Sequence, residues 1–208
     1  MLEKIRKHFL LLLVVPYVVG LIGFSIKETS ELFLTLTPVM LLFSLFLVLV
    51  EEERVVRKNS LVIILIGVFG FGAEALGVNT GVLFGDYEYG TVLGPKLFGV
   101  PFLIATNWVM LCIAAYSIST RVTTNSYLQA ALSASMVTAF DMILEPVAIK
   151  YRWWWGQDVS VPIYNYVTWF VLVFLFVLML SSGNKSAMGR SFYLIIIQTL
   201  FFIWLLIW

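Results

Sequence analysis

The sequence has 208 residues, of which 61% are hydrophobic and 12% are charged, with a net charge of +1, one cysteine and one histidine. Soluble domains have about 25% charged and about 45–50% apolar residues, so this composition excludes a soluble globular protein and a disordered chain. The near-neutral charge excludes a basic nucleic-acid-binding surface, and the single cysteine and histidine exclude a disulfide framework and a histidine-rich metal site.

Seven apolar stretches are long enough to cross a membrane as helices, which takes about 20 residues each. In chain order they cover approximately residues 8–26, 31–50, 60–78, 99–119, 127–149, 163–180 and 190–207. The runs are too continuous for the alternating strands of a membrane β-barrel. We therefore predict an all-α, polytopic membrane protein, with a single domain over 1–208 built as a bundle of about seven transmembrane helices.

The Lys and Arg residues predict the direction of the chain in the membrane. Nine of them fall on the side of the N-terminus and four on the opposite side. Because positively charged loops remain in the cytoplasm, we predict an integral protein of the cell or inner membrane with a cytoplasmic N-terminus and an external C-terminus.

Two of the predicted connections differ from plain polar linkers. Residues 79–98 are rich in Gly and Tyr, and residues 150–162 contain three consecutive tryptophans, Trp153 to Trp155. Both connections lie on the outer side in the predicted orientation. We expect both to fold back onto the helix bundle.

Three acidic residues, Glu74, Asp141 and Glu145, fall inside apolar spans, and no Lys or Arg lies inside any span to pair with them. An acid at mid-membrane costs roughly 2.5–3.5 kcal/mol, and such residues generally mark functional sites. Burial without a cation favours the neutral, protonated form of a carboxyl group. A carboxylic acid that keeps its proton near neutral pH is a candidate general acid.

The polar residues of the spans converge at one depth. Asp141 and Glu145 are four residues apart and share one helix face, and Pro146 removes a backbone hydrogen bond beside them. Four helices place polar or aromatic groups in the outer half of the membrane: Glu74, Asn107, Trp108, Asp141, Glu145, Asn165 and Trp169. This convergence predicts one pocket on the outer side. Taken singly, Glu74, Asn107 and Asn165 are also compatible with hydrogen bonding between helices.

Several of these motifs resemble the carotenoid biosynthesis family of CruF-type carotenoid 1,2-hydratases. In the first half of the chain they are the segments 74–81, 84–89 and 99–101, followed by Trp108. In the second half they are the segments 141–146, 153–156 and 161–169. The resemblance covers about residues 60–180, because the other spans match only in hydropathy.

The resemblance implies a hydro-lyase that needs no cofactor and adds water across the terminal C1,C2 double bond of an acyclic (ψ) carotenoid end group. The substrate would be a lipophilic carotenoid of the lycopene, γ-carotene or bisanhydrobacterioruberin type, taken from the lipid bilayer. Protonation of such an alkene requires a strong acid in a dry pocket, and the resulting tertiary cation requires nearby negative charge or aromatic faces.

The site residues follow from this chemistry. We expect Asp141, the deepest of the three acids, to donate the proton, and Glu145 or Glu74 to hold the attacking water. The residues expected to contact the substrate, the cation or the water are Asn79, Asp86, Tyr87, Tyr89, Asn107, Trp108, Trp155, Asn165 and Trp169. We expect no metal and no nucleic-acid partner.

Two other activities use the same residues. A carotenoid end-group cyclase also protonates an alkene but captures the cation with a neighbouring double bond. A proton-coupled transporter would use the acids as a relay; such proteins usually contain paired repeats and helices broken at the midplane, and the sequence shows no repeat. A third possibility, a retinal photoreceptor of seven helices, needs a lysine inside a late span. Lys185 lies in a predicted loop, so the sequence disfavours this class of protein.

Overall fold

The computed structural model describes residues 2–156, 161–183 and 188–208, and within these ranges the chain is largely α-helical. The helices are α1 (Leu2–Lys7), α2 (Phe9–Ser25), α3 (Lys27–Glu51), α4 (Glu53–Lys58), α5 (Ser60–Thr80), α6 (Leu103–Val122), α7 (Ser126–Lys150), α8 (Ile163–Gly183) and α9 (Tyr193–Ile207). Short strands are β1 (Tyr87–Tyr89), β2 (Lys96–Leu97), β3 (Val100–Pro101) and β4 (Trp154–Gly156).

Five helices of the described ranges are long and apolar enough to cross a membrane: α3, α5, α6, α7 and α8. Two shorter apolar helices, α2 and α9, coincide with the first and last predicted spans. The all-α fold and the multi-pass membrane character are thus confirmed. The count of seven spans and the orientation of the termini remain predictions.

Three helix boundaries differ from the prediction for local reasons. The fourth span was predicted to begin at 99, but α6 begins at Leu103 because β2 and β3 pair just before it. Helix α3 begins at Lys27, four residues early, because only Ile26 separates it from α2. Helix α9 begins at Tyr193 rather than 190, because residues 189–191 hydrogen bond to Glu51 and Glu52.

Helices α6 and α7 form the centre of the bundle. In the most apolar 18-residue segment of each helix, 67% of the residues are buried in α6 and 56% in α7. The corresponding share is 33% in α5 and α8 and 22% in α3. Helix α7 packs against α6, α8 and α9, and α5 packs against α6 and α8. The two acids of α7 therefore project from the most enclosed part of the fold.

Strand β1 pairs with β4 in an antiparallel register that places Tyr87 opposite Gly156 and Tyr89 opposite Trp154. The connection after α5 and the connection after α7 are thereby joined across one end of the bundle, which we call the loop end. The sequence pattern does not predict these strands, because each is only three residues long and its partner lies 67 residues away in the chain.

The opposite end of the bundle is closed by two buried glutamates, Glu51 and Glu52. Glu52 accepts hydrogen bonds from the Gly189 amide at 2.7 Å and from the Ser191 hydroxyl at 2.6 Å. Glu51 accepts from the amide and from the Nε of Arg190, at 3.0 and 2.9 Å. The sequence places these acids at a helix end, but the structure uses them to fix the chain before α9.

Replacing Glu52 by alanine is expected to lower the stability of the protein. The substitution leaves the buried Ser191 hydroxyl and the partly buried Gly189 amide without an acceptor, at about 1–3 kcal/mol for an unsatisfied buried group. The matched control is Glu53→Ala, because Glu53 makes only an exposed i,i+4 pair with Arg57, worth about 0.3–0.5 kcal/mol. Thermal unfolding in detergent measures both. Equal unfolding temperatures for the two variants would contradict the structural role given to Glu52.

Candidate active site

A cavity of about 290 Å³ lies at the loop end and contains all three intramembrane acids in its wall. We call it the acid cavity. Nine of the residues predicted from the sequence line it: Glu74, Asp86, Tyr87, Tyr89, Asn107, Asp141, Glu145, Asn165 and Trp169. They come from helices α5, α6, α7 and α8 and from β1 and the turn before it, so the fold gathers residues that lie up to 95 positions apart in the chain.

Glu74 of α5 is buried and holds the largest number of hydrogen bonds among the three acids. Its Oε2 accepts from the Tyr87 hydroxyl at 2.5 Å and from the Tyr89 hydroxyl at 2.8 Å. Its Oε1 accepts from the Trp108 Nε1 at 3.3 Å. An ionised carboxylate only accepts hydrogen bonds, so the three converging donors offset part of the cost of burying a charge at Glu74.

Gly70, one turn before Glu74, allows the third of these contacts. A Cβ atom at Gly70 would lie 2.5 Å from Cγ of Trp108, closer than any packed side chain tolerates. The absence of a side chain lets the Trp108 indole lie directly against α5, with its N–H directed at the glutamate. Close approach between helices at small residues is common in membrane bundles.

Tyr87 and Tyr89 reach Glu74 because β1 turns inward at the loop end. Burial, followed by the charge of Glu74, raises the pKa of both phenols well above the ordinary value. Both hydroxyl groups therefore keep their protons and remain donors. The two rings contact each other edge to face, with centroids 5.4 Å apart, so the pair is held rigidly.

Asp141 and Glu145 lie one turn apart on α7, and each has a donor of its own. Asp141 Oδ2 accepts from the Asn165 Nδ2 of α8 at 3.2 Å. Glu145 Oε2 accepts from the Trp154 Nε1 of β4 at 2.8 Å. The ion pairs found in the described ranges are Arg57–Glu53 and Arg190–Glu51, so none of the three acids is paired with a cation there.

Two tryptophans form an aromatic wall behind the acids. Trp169 of α8 lines the acid cavity and stacks on Trp108, with ring centroids 3.9 Å apart and planes 11° from parallel. Trp108 is fully buried and does not itself line the cavity. Its contribution to the site is indirect, through the stack and through its bond to Glu74.

Two other predicted residues, Asn79 and Trp155, are not among the residues described as lining the acid cavity. Asn79 is exposed, and its amide donates to the carbonyls of Ala75 at 2.7 Å and Phe98 at 2.9 Å. It thus fixes the loop at Phe98, whose φ is 53°, and does not line the acid cavity. Trp155 is in β4 opposite Glu88, but its side chain lies outside the described residues.

Trp154 is the main contact that the sequence analysis did not assign to the site. Beside its bond to Glu145, it packs edge to face on Tyr89 with centroids 5.8 Å apart. The sequence contains the three tryptophans but not the pairing of β4 with β1, which brings Trp154 to Tyr89.

Comparison with known proteins identifies the family of this chain. A family model described as "Carotenoid biosynthesis protein" matches residues 33–208, which include every residue of the acid cavity. The chain belongs to the carotenoid biosynthesis protein family. The resemblance seen in the sequence motifs is thereby confirmed.

Among curated proteins, a bisanhydrobacterioruberin hydratase of Haloarcula japonica is similar to this chain. The two sequences are 29% identical over an alignment of 141 residues. The match covers 63% of this chain and 47% of that protein. The chain therefore spans about half the length of the curated relative it matches. No solved structure matches the chain.

Proposed function

We propose that this family member is a carotenoid hydratase that adds water across the terminal C1,C2 double bond of an acyclic end group. The observation that carries the proposal is the acid cavity itself, in which three acids meet without a cation and beside a tryptophan face. The family match and the similarity to a hydratase support the same class of reaction.

Asp141 is the proton donor in this proposal. It is buried and receives a single hydrogen bond, from Asn165 to Oδ2. The other oxygen, Oδ1, is then available to carry the proton that passes to C2 of the alkene. The new C–H bond uses the π electrons and leaves a tertiary cation at C1.

Glu74 and Trp169 stabilise this cation. The Glu74 carboxylate is fixed by three donors and therefore supplies a negative charge that does not need to reorganise during the reaction. The face of Trp169 attracts a cation through its ring quadrupole. Its stack on Trp108 holds that face in place.

Glu145 is the base that receives a proton from the attacking water. Its Oε2 is occupied by Trp154, which leaves Oε1 for the water. The water oxygen forms a bond to C1 and releases one proton to Glu145, giving the tertiary alcohol. Because Glu145 and Asp141 are one helical turn apart, a single water can return the proton to Asp141 and restore the starting state.

Expression in cells that accumulate lycopene tests the proposed reaction. Chromatography and mass spectrometry of the pigments should show a product heavier than lycopene by one or two waters. An isomer of unchanged mass and shortened chromophore would instead indicate a cyclase. The same assay in cells that make γ-carotene or bisanhydrobacterioruberin distinguishes substrates, and unchanged pigment in all three strains would contradict the proposal.

A further inference from the structure

A second and larger cavity of about 350 Å³ lies among α2, α3, α6, α7 and α9. We call it the apolar cavity. Its wall is mostly aliphatic and aromatic, with rings from Phe33, Phe140 and Phe201. Two of its few polar groups, Tyr17 and Gln198, hydrogen bond to each other at 2.7 Å. Two further polar atoms on lining residues, Gln198 Oε1 and Trp153 Nε1, are buried and have no hydrogen-bond partner in the described ranges.

The apolar cavity opens toward the membrane between α2 and α3. Val19, Leu36 and Val39 line the cavity, yet their side chains are 48%, 43% and 62% exposed. In a membrane-spanning bundle, an exposed apolar side chain within a spanning helix faces lipid. A hydrophobic molecule dissolved in the bilayer therefore meets an opening here without crossing a polar surface.

The apolar cavity and the acid cavity share a wall. Ile104, Asn107, Leu144 and Trp154 line both cavities, so one layer of side chains separates the two spaces. Trp154 also donates to Glu145. A chain whose end reaches this shared wall therefore lies next to the acid cavity.

We propose that the apolar cavity is the binding site for the isoprenoid chain that adjoins the reacting end group, and that the substrate enters it from the bilayer between α2 and α3. This inference rests on the proposed function for the identity of the chain. Small-molecule sites have volumes of roughly 300–1,000 Å³. A cavity at the lower end of that range encloses only a segment of a carotenoid, so the remainder extends through the opening into the lipid.

The size of the cavity has a consequence for specificity. The enclosed segment is recognised by its shape, whereas the far end of the carotenoid is not contacted. Carotenoids that share one acyclic end should therefore bind similarly, whatever their other end carries. Asn107 lies on the shared wall and has no hydrogen-bond partner in the described ranges.

Narrowing the opening with Leu36→Trp tests the proposal. The experiment uses the full chain in lipid nanodiscs with lycopene as the probe, and it measures binding through the induced circular dichroism of the polyene. In an Asp141→Asn background, in which turnover is expected to be slow, Leu36→Trp is expected to weaken lycopene binding by at least tenfold. Val39→Trp, on the same side of α3, is expected to act in the same direction.

The matched control is Leu42→Trp, because Leu42 is also exposed on α3 but does not line the cavity. Its lycopene affinity should equal that of the parent. Equal affinity of Leu36→Trp and Leu42→Trp for lycopene would overturn the chain site. If lycopene binding depends on Leu36 but the parent protein with Asp141 intact forms no hydrated product, the chain site stands and the hydratase is contradicted. Absence of lycopene binding in every variant would overturn the chain site for this class of molecule.

Discussion

Replacing Asp141 by asparagine is expected to reduce the formation of hydrated carotenoid by a factor of about 10²–10⁴, the range typical of a lost general acid. Asparagine has nearly the same size and retains a carbonyl oxygen that can accept from Asn165. The packing of α7 against α8 should therefore persist while the proton is lost. Pigment analysis in lycopene-accumulating cells, normalised to the amount of protein in the membrane, measures the effect.

The matched control for this prediction is Glu88→Gln. Glu88 is an exposed acid of β1 at the same end of the bundle and does not line the acid cavity. Its amide variant should hydrate carotenoid at the parental rate. Parental activity of Asp141→Asn would remove Asp141 as the donor, and comparison with Glu145→Gln would then show whether the other acid of α7 has that role.

The acid cavity assigns a different environment to each of its three carboxyl groups. Glu74 is surrounded by hydroxyl and indole donors, Glu145 is held by one indole, and Asp141 is held by one amide. Hydration requires one group that gives a proton, one that opposes a positive charge and one that takes a proton back. Three environments at one site offer a separate carboxyl group for each of these roles.

The sequence predicted the acids more completely than the groups that hold them. Glu74, Asp141 and Glu145 stand out because an acid in an apolar span is costly and therefore rare. Helical spacing alone places Asp141 and Glu145 on one face. These inferences need only local information, namely hydropathy and the period of the helix.

The partners of the acids depend on contacts between distant segments. Trp154 contacts Glu145 from β4, whose position is set by its pairing with β1. Asn79 matches the family motif but fixes the backbone at Phe98 instead of lining the cavity. Neither result follows from periodicity, since both depend on the path of a loop.

The buried acids at the opposite end illustrate the same limit. Glu51 and Glu52 end an apolar helix, where acids are normally solvated, so hydropathy gives no reason to expect burial. Their burial follows from the return of the chain to them at residues 189–191, about 140 positions later. Only the packed fold brings those residues together.

The hydroxyl groups of Tyr87 and Tyr89 are expected to contribute strongly to catalysis through Glu74. Hydrogen bonds to a charged group are worth about 1.5–3 kcal/mol, so Tyr87→Phe and Tyr89→Phe should each lower kcat by roughly 10–100-fold. The effect should fall on kcat rather than on KM, because the Glu74 charge is needed only when the cation forms. Turnover of lycopene by the protein in nanodiscs measures both constants.

The double variant distinguishes a shared role from two separate ones. If both phenols act by keeping Glu74 ionised, the double Phe variant should fall to the activity of Glu74→Gln and no further, since removal of the charge is the common end point. Tyr151→Phe is the matched control, because Tyr151 lies at the same end of the bundle but does not line the acid cavity. A rise in KM with unchanged kcat would instead mean that the two tyrosines bind substrate. It would contradict the role given to their hydroxyl groups in stabilising the Glu74 carboxylate.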